Sequence, residues 1–166
     1  MTTALIAIGS NQGQPLHQCQ AAVEKLGTLL HTTVTQQSPW YQSAAVTLGE
    51  QQDDYINGVV ELETALDAEM LLLSLQSIEQ QMGRPEHHAK WSPRCIDLDI
   101  LSYGDTLKTT PTLTLPHPEI PKRLFVLLPL RDIAPTWIHP KSGETIDQLI
   151  HTCQREHALQ IEKISC

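Results

Sequence analysis

Asp97 and Asp99 stand two positions apart inside the otherwise apolar segment 96–101. In an extended chain, residues i and i+2 point to the same face. The two carboxylates therefore share one surface, while Ile96, Leu98 and Ile100 turn to the other. Carboxylates held side by side repel. A hard divalent cation removes that cost, and magnesium binds carboxylate oxygens together with substrate phosphates. A solvated strand face would carry the same pair. What argues for chemistry is the neighbourhood: Lys90 and Arg94 lie just upstream, and Trp91 is the single large apolar residue of the segment RPEHHAKWSP, 84–93, which reads as a mobile loop. Metal, phosphate-binding cations and a mobile cover are what phosphoryl-type transfer requires.

The elements that must position these groups follow from periodicity. Residues 4–9 read as a short buried strand, followed by a turn at 9–13. Pro15 suits the first turn of a helix, and Leu16, Cys19, Val23, Leu26 and Leu30 give it one apolar face. A β-rich stretch at 32–42 leads into the polar connection SAAVTLGEQQDD. Residues 55–64 alternate as a strand, with Ile56, Val60 and Leu62 on one face and Tyr55, Asn57, Val59, Glu61 and Glu63 on the other. Asp67 is a candidate N-cap for a second helix with the stripe Leu71, Leu75, Ile78 and Met82, and Gly83 is its stop. The next strand covers 94–104.

The order β-α-β-β-α-β over 1–104 is that of an α+β, ferredoxin-like domain: an antiparallel sheet with helices on one face. Residues 105–166, Pro-rich at first and helical near 144–157, form a C-terminal extension expected to wrap the core, so that 1–166 is one domain. Strand order 4-1-3-2 would place Asp97 and Asp99 across the first strand from Tyr55 and Asn57, roughly 10 Å away. Only Ala7 and Gly9 would stand between them, with Leu5 below. A shallow trough with a metal site on one side and an aromatic ring and an amide on the other suits a flat heterocycle beside a phosphate chain.

Bulk properties narrow the classes. A formal net charge of −8 argues against broad nucleic-acid binding but leaves room for a nucleotide pocket served by a few arginines and a metal. Cys19, Cys95, Cys153 and Cys166 form no C-x-x-C pair, so no zinc site is signalled and reduced thiols are expected. No apolar run is long enough to cross a bilayer, and a cytoplasmic, monomeric protein is expected, with no membrane partner.

The segment K-W-S-P-R-C-I-D-L-D-I-L, 90–101, resembles the signature of the 6-hydroxymethyl-7,8-dihydropterin pyrophosphokinase family of folate synthesis. The resemblance extends, in order, to ALIAIGSN (4–11), D-Y-I-N (54–57), I-E-x-x-x-G-R (78–84), L-P-H (115–117), K-R-x-F (122–125) and L-P-L-x-x-I-A-P (128–135). It implies ATP as co-substrate, two magnesium ions, and attack of the pterin hydroxymethyl oxygen on the β-phosphorus with AMP leaving. It makes Asp97 and Asp99 the metal ligands, and Arg84 and Arg94 phosphate-contacting catalytic arginines. Tyr55 and Phe125 become the aromatic pair about the pterin, Asn57 the amide reading its edge, and Trp91 the loop residue packing over the closed site. Gln76, Glu79, Ile100, His117 and Arg123 fall at positions around the nucleotide.

Taken singly, each of these residues also fits an ordinary structural role: strand surface for Tyr55, a bulge for Asn57, core for Phe125 and Trp91, surface ion pairs for the arginines, a loop histidine for His117, a solvated helix position for Glu79. The chain also departs from the family pattern. Glu86, His87 and Thr112 stand at positions that are often basic, and the connection 43–54 lacks a proline near its start. These departures motivate a second reading, a homologue that binds pterin or nucleotide without turnover and acts through a partner. An RNA-binding module, the third use of such a sheet, is disfavoured by charge and by the lack of an aromatic run.

Overall fold

The computed structural model describes residues 1–43, 46–47, 50–51, 55–83, 96–156 and 161–164. Strand β1 (Thr2–Ser10) runs at the centre of the main sheet, flanked on one side by β7 (Asp97–Tyr103) and on the other by β6 (Tyr55–Thr64). Beyond β6 lie β2 (Thr32–Gln37) and β3 (Tyr41–Ser43), and β10 (Ile161–Lys163) closes the edge against β3. Every pairing named here is antiparallel. This is the expected order 4-1-3-2 with one strand added from the extension.

The 32–42 stretch splits in two for a local reason. Pro39 has no N–H to give to a ladder, and Ser38 replaces the missing rung: its N–H donates to the Val59 carbonyl and its Oγ accepts from Val59 N–H, both at 2.9 Å. Trp40 then packs on β6 at Gly58, where a Cβ would come within 2.6 Å of the indole ring. The polar connection after β3 contains a small hairpin, β4 (Val46–Thr47) with β5 (Glu50–Gln51).

Helices α1 (Pro15–Leu26) and α2 (Ala68–Gln81) cover one face of the sheet, and Ile6, Ile8, Val60, Leu62 and Ile100 join Leu26, Leu71 and Leu75 in its core. Asp67 caps α2 by accepting the Met70 N–H at 2.8 Å, worth about 1 kcal/mol, and Gly83 follows at φ 106°, open mainly to glycine. Helix α1 stops at Gly27, so Leu30 lies outside the stripe read for it and is 69% exposed.

The extension begins with a hairpin of β8 (Lys108–Thr109) and β9 (Thr114–Leu115), followed by a short 3-10 turn at Ile120–Lys122. Two helices follow. The second, α4 (Ile146–Glu156), falls where the sequence pattern put it; the first, α3 (Leu124–Ile133), was not anticipated. Both pack on the sheet face opposite α1 and α2, burying Leu5, Val59 and Leu101 against Leu124, Leu127, Leu130 and Ile150. The core helices thus occupy one face as expected, while the extension covers part of the other and, among the described residues, leaves the rest as the floor of a cleft. Cys19 and Cys153 are buried free thiols. Burial pushes the Cys19 thiol up to about 12. Among the described residues, no helix is long and apolar enough to cross a membrane.

Candidate active site

The cleft is about 370 Å³, and its floor is the part of the sheet that α3 and α4 leave open among the described residues. Register brings the floor together. Gly9 lies opposite Asp97 on one side and Asn57 on the other, and Ala7 lies between Asp99 and Val59. Asn57 is paired in turn with Tyr41, and Tyr55 with Ser43. Cross-strand partners point to the same face, so both carboxylates, the Asn57 amide and the Tyr55 ring rise from one surface, as the alternation required. Small residues on β1 keep that surface low between them.

The wall comes from the start of α3. Arg123, at its N-cap, holds its guanidinium 5.8 Å from the centre of the Phe125 ring, and both line the cleft with Val126. Phe125 is therefore brought across from Tyr55 by tertiary packing, seventy residues downstream. Tyr55 is 39% exposed at the mouth, whereas Asn57 is 8% exposed at the floor.

A bulge in β7 sets the third side. Ile6 pairs with Ile100 but Leu5 with Ser102, leaving Leu101 as the extra residue. The Leu101 carbonyl accepts the His117 N–H at 2.8 Å, which holds the segment after the cis Leu115–Pro116 bond against β7. His117 Nδ1 accepts the Glu119 N–H at 3.1 Å. A neutral ring accepting at Nδ1 carries its proton on Nε2. Burial lowers the pKa of His117, Asp99 and Glu119 pull it upward, and Arg123 pushes it down. The imidazole thus lies within the fields of Asp99 and of Arg123.

Behind the carboxylates, on the helix side, Glu79 of α2 is 5% exposed and accepts the Leu98 N–H at 3.3 Å. Leu98 lies between Asp97 and Asp99, and its N–H points away from β1, toward the outer edge of β7. Because edge groups alternate along an antiparallel strand, the N–H and C=O of Ile100 point the same way.

Of the residues singled out from the sequence, Asp97, Asp99, Tyr55, Asn57, Arg123 and Phe125 line the cleft together, and His117 adjoins it. Gln76, Glu79 and Ile100 do not line it. Gln76 is exposed on α2, and the Ile100 side chain is buried in the core between sheet and helices, 3% exposed. Glu79 is not the solvated helix residue its type suggests but a buried acceptor beneath β7. Arg84, Trp91 and Arg94, with Glu86 and His87, lie outside the described residues. Thr112 is exposed between β8 and β9. Ser43, buried at the cleft opposite Tyr55, and Val126 were not read from the sequence; position alone marks them.

Two carboxylates on one face, an amide and two aromatic rings beyond a glycine floor, and a guanidinium at a helix start can bind a planar heterocycle and a metal–phosphate group side by side. Residues 5–135 match the family model described as 7,8-dihydro-6-hydroxymethylpterin-pyrophosphokinase. The chain belongs to this family. The family's reaction is pyrophosphate transfer in folate biosynthesis, so the chain is a diphosphotransferase. Among its relatives, the 2-amino-4-hydroxy-6-hydroxymethyldihydropteridine pyrophosphokinase of Synechocystis sp. is 44% identical over 147 residues, covering 89% of this chain and 74% of the relative. The enzyme of the same name from Haemophilus influenzae is 40% identical over 151 residues, covering 90% and 92%. A solved Plasmodium falciparum HPPK-DHPS with pteroate superposes with a TM-score of 0.72 over 94% of this chain at 14% identity, which establishes likeness of fold. This chain spans 43% of that longer one.

Proposed function

We propose that the cleft carries out magnesium-dependent transfer of pyrophosphate from ATP to the hydroxymethyl oxygen of 6-hydroxymethyl-7,8-dihydropterin. The observation that carries this reading is the single sheet row in which Asp97 and Asn57 flank Gly9. The row supports the reading because it brings a carboxylate suited to a metal and an amide suited to a heterocycle edge to either side of one glycine.

Asp97 and Asp99 would hold magnesium, two ions by family resemblance. Their donor set fits: this hard ion takes one or two carboxylates from the protein and completes its shell with water and phosphate oxygens. When bound, the metal neutralises the triphosphate and helps align the β-phosphorus. The other groups belong to the chain. Asn57 both donates and accepts along the amide-like edge of the pterin. Tyr55 and Phe125 take its two faces. Arg123 reaches the phosphates, joined by Arg84 and Arg94, and guanidinium forks suit that task. His117, with its proton on Nε2, donates to a phosphate oxygen. The outward N–H and C=O of Ile100 offer the nucleotide base a backbone edge, Glu79 holds that strand at Leu98, and Gln76 joins the nucleotide from α2 by family resemblance. Trp91 closes over the site and excludes water, whose attack would waste ATP.

In the reaction the hydroxymethyl oxygen forms a bond to the β-phosphorus, the bond from that phosphorus to the α–β bridging oxygen breaks, and AMP leaves with the electron pair. The hydroxyl proton passes to solvent. Every group named comes from one copy of residues 1–166, so the reading needs no partner chain.

A second reading, binding without turnover, draws on Glu86, His87 and Thr112, which leave the site less basic than the family pattern. One assay separates them. With ATP, magnesium and 6-hydroxymethyl-7,8-dihydropterin, AMP should accumulate in step with pterin consumed. A folded protein that yields no AMP above background excludes the catalytic reading.

A further inference from the structure

A polar cluster beside the cleft has no part in the reaction just described. The Tyr41 hydroxyl donates to Asp132 of α3. Lys163 of β10 approaches the other Asp132 oxygen at 3.5 Å and lies 5.7 Å from the centre of the Tyr41 ring. Tyr41 is 6% exposed, and its hydroxyl is pushed above the usual phenol range by burial and by Asp132, so it stays a donor. The cluster joins three elements: the strand paired with Asn57 and Tyr55, the helix that carries Phe125, and the C-terminal strand.

We propose that Tyr41 is a positioning residue for pterin binding, acting through Asp132 to fix where α3 sets Phe125 opposite Tyr55. This rests on the functional reading above and adds a residue to it. Three observations support it. First, Tyr41 pairs directly with Asn57, and its β3 neighbour Ser43 pairs with Tyr55. The clamp therefore starts on the same strand segment that holds the pterin side of the cleft. Second, Asp132 and Phe125 are seven residues apart in α3, which is two turns, roughly 10.5 Å, along one stripe of the helix. Anchoring Asp132 fixes the rotation of that stripe about the helix axis, and so the azimuth of Phe125. Third, Pro129 lies inside α3 and cannot donate to the Phe125 carbonyl. The turn bearing Phe125 has lost a rung of its own ladder and depends more on how the helix is docked.

The test uses the full chain with three substitutions, measured beside the unaltered protein. Tyr41→Phe removes the donor but keeps the ring, and Asp132→Ala removes the acceptor. Asp132→Asn keeps an oxygen that can accept. The KM for the pterin should rise roughly fivefold or more in the first two, because a small misplacement of a substrate-orienting group weakens recognition steeply. The KM for ATP should stay within about twofold, and Asp132→Asn should restore most of the pterin KM. Combining Tyr41→Phe with Asp132→Ala should add little to either alone, as expected for one shared interaction. An unchanged pterin KM in both disruptive variants overturns the inference while leaving the function standing. So does a parallel rise in both KM values with a loss of stability, which would mark a merely structural contact. If Tyr41→Phe does not fold, Asp132→Ala with its Asn counterpart decides alone. Absence of AMP from the unaltered protein removes the functional reading, and this inference with it.

Discussion

A Cβ placed on Gly9 would lie 2.6 Å from Asn57 Oδ1. The Asn57 amide therefore leans over the central strand, toward the side on which Asp97 stands, and occupies the space a side chain at position 9 would fill. Gly9 serves here by close approach rather than by an unusual backbone angle. The atom it would strike is a side-chain terminus, so an added methyl can be accommodated by turning the amide away. Gly9→Ala should then leave stability within about 1 kcal/mol but raise the pterin KM about tenfold, the equivalent of one lost recognition hydrogen bond at ~1.4 kcal/mol. Urea unfolding and steady-state kinetics read the two effects separately. A variant with normal pterin KM would show that the amide need not lie where it does.

Glu79 is not among the described residues that line the cleft, yet it holds the N–H of the residue between the two aspartates. Removing it leaves the Leu98 N–H without this acceptor, at a cost of about 1–3 kcal/mol. Glu79→Ala should show that loss in denaturant unfolding and should need more magnesium for half-maximal rate, whereas Glu79→Gln, which keeps an acceptor oxygen, should retain most of both. Equal magnesium dependence in all three proteins would confine Glu79 to stability.

His139 gives the fold a pH dependence of its own. His139 is 7% exposed and its Nδ1 accepts the N–H groups of Lys141 and Ser142 at 3.2 and 3.1 Å. Burial holds its pKa below the ordinary 6.5, with Glu144 opposing and Lys141 assisting. The unfolded chain therefore binds this proton at higher pH than the folded one. Its contribution to stability is complete above about 6.5 and is lost as pH falls through and below that value. Urea midpoints should drop between pH 7.5 and pH 5.5, and the drop should be smaller in His139→Gln. An equal drop in the variant would assign the dependence to other groups.

The floor of the site was readable from the sequence because it is a matter of period two. Once 55–64 and 97–103 are strands flanking the first, the faces of Asp97, Asp99, Tyr55 and Asn57 follow without further information. The wall was not readable in the same way. The α3 segment LFVLLPLRDI is apolar on nearly all sides, with Leu124, Val126, Leu127, Leu130 and Ile133 all buried, and it contains a proline. It offers neither a clean stripe nor an uninterrupted run. Phe125 entered through resemblance to a family signature, and the packing of α3 on Leu5 and Val59 explains how it arrives. Leu30 went astray for the opposite reason: it continues the α1 spacing, but Gly27 has already ended the helix. Glu79 shows a third limit, since a carboxylate at a helix position looks solvated until the strand it supports is in place.

The metal pair is the centre of the proposed chemistry. Asp97 lies at the start of β7 opposite Gly9, and replacing it with alanine removes one carboxylate while leaving Ile96 and Leu98 in the core. In the AMP-release assay, with magnesium and both substrates saturating, Asp97→Ala should lose at least about a hundredfold in rate, in the range of losing a charge-stabilising group at a transition state. Its unfolding curve should match that of the unaltered protein. Wild-type rates in a folded Asp97→Ala protein would contradict the assignment of this cleft as the site of pyrophosphate transfer.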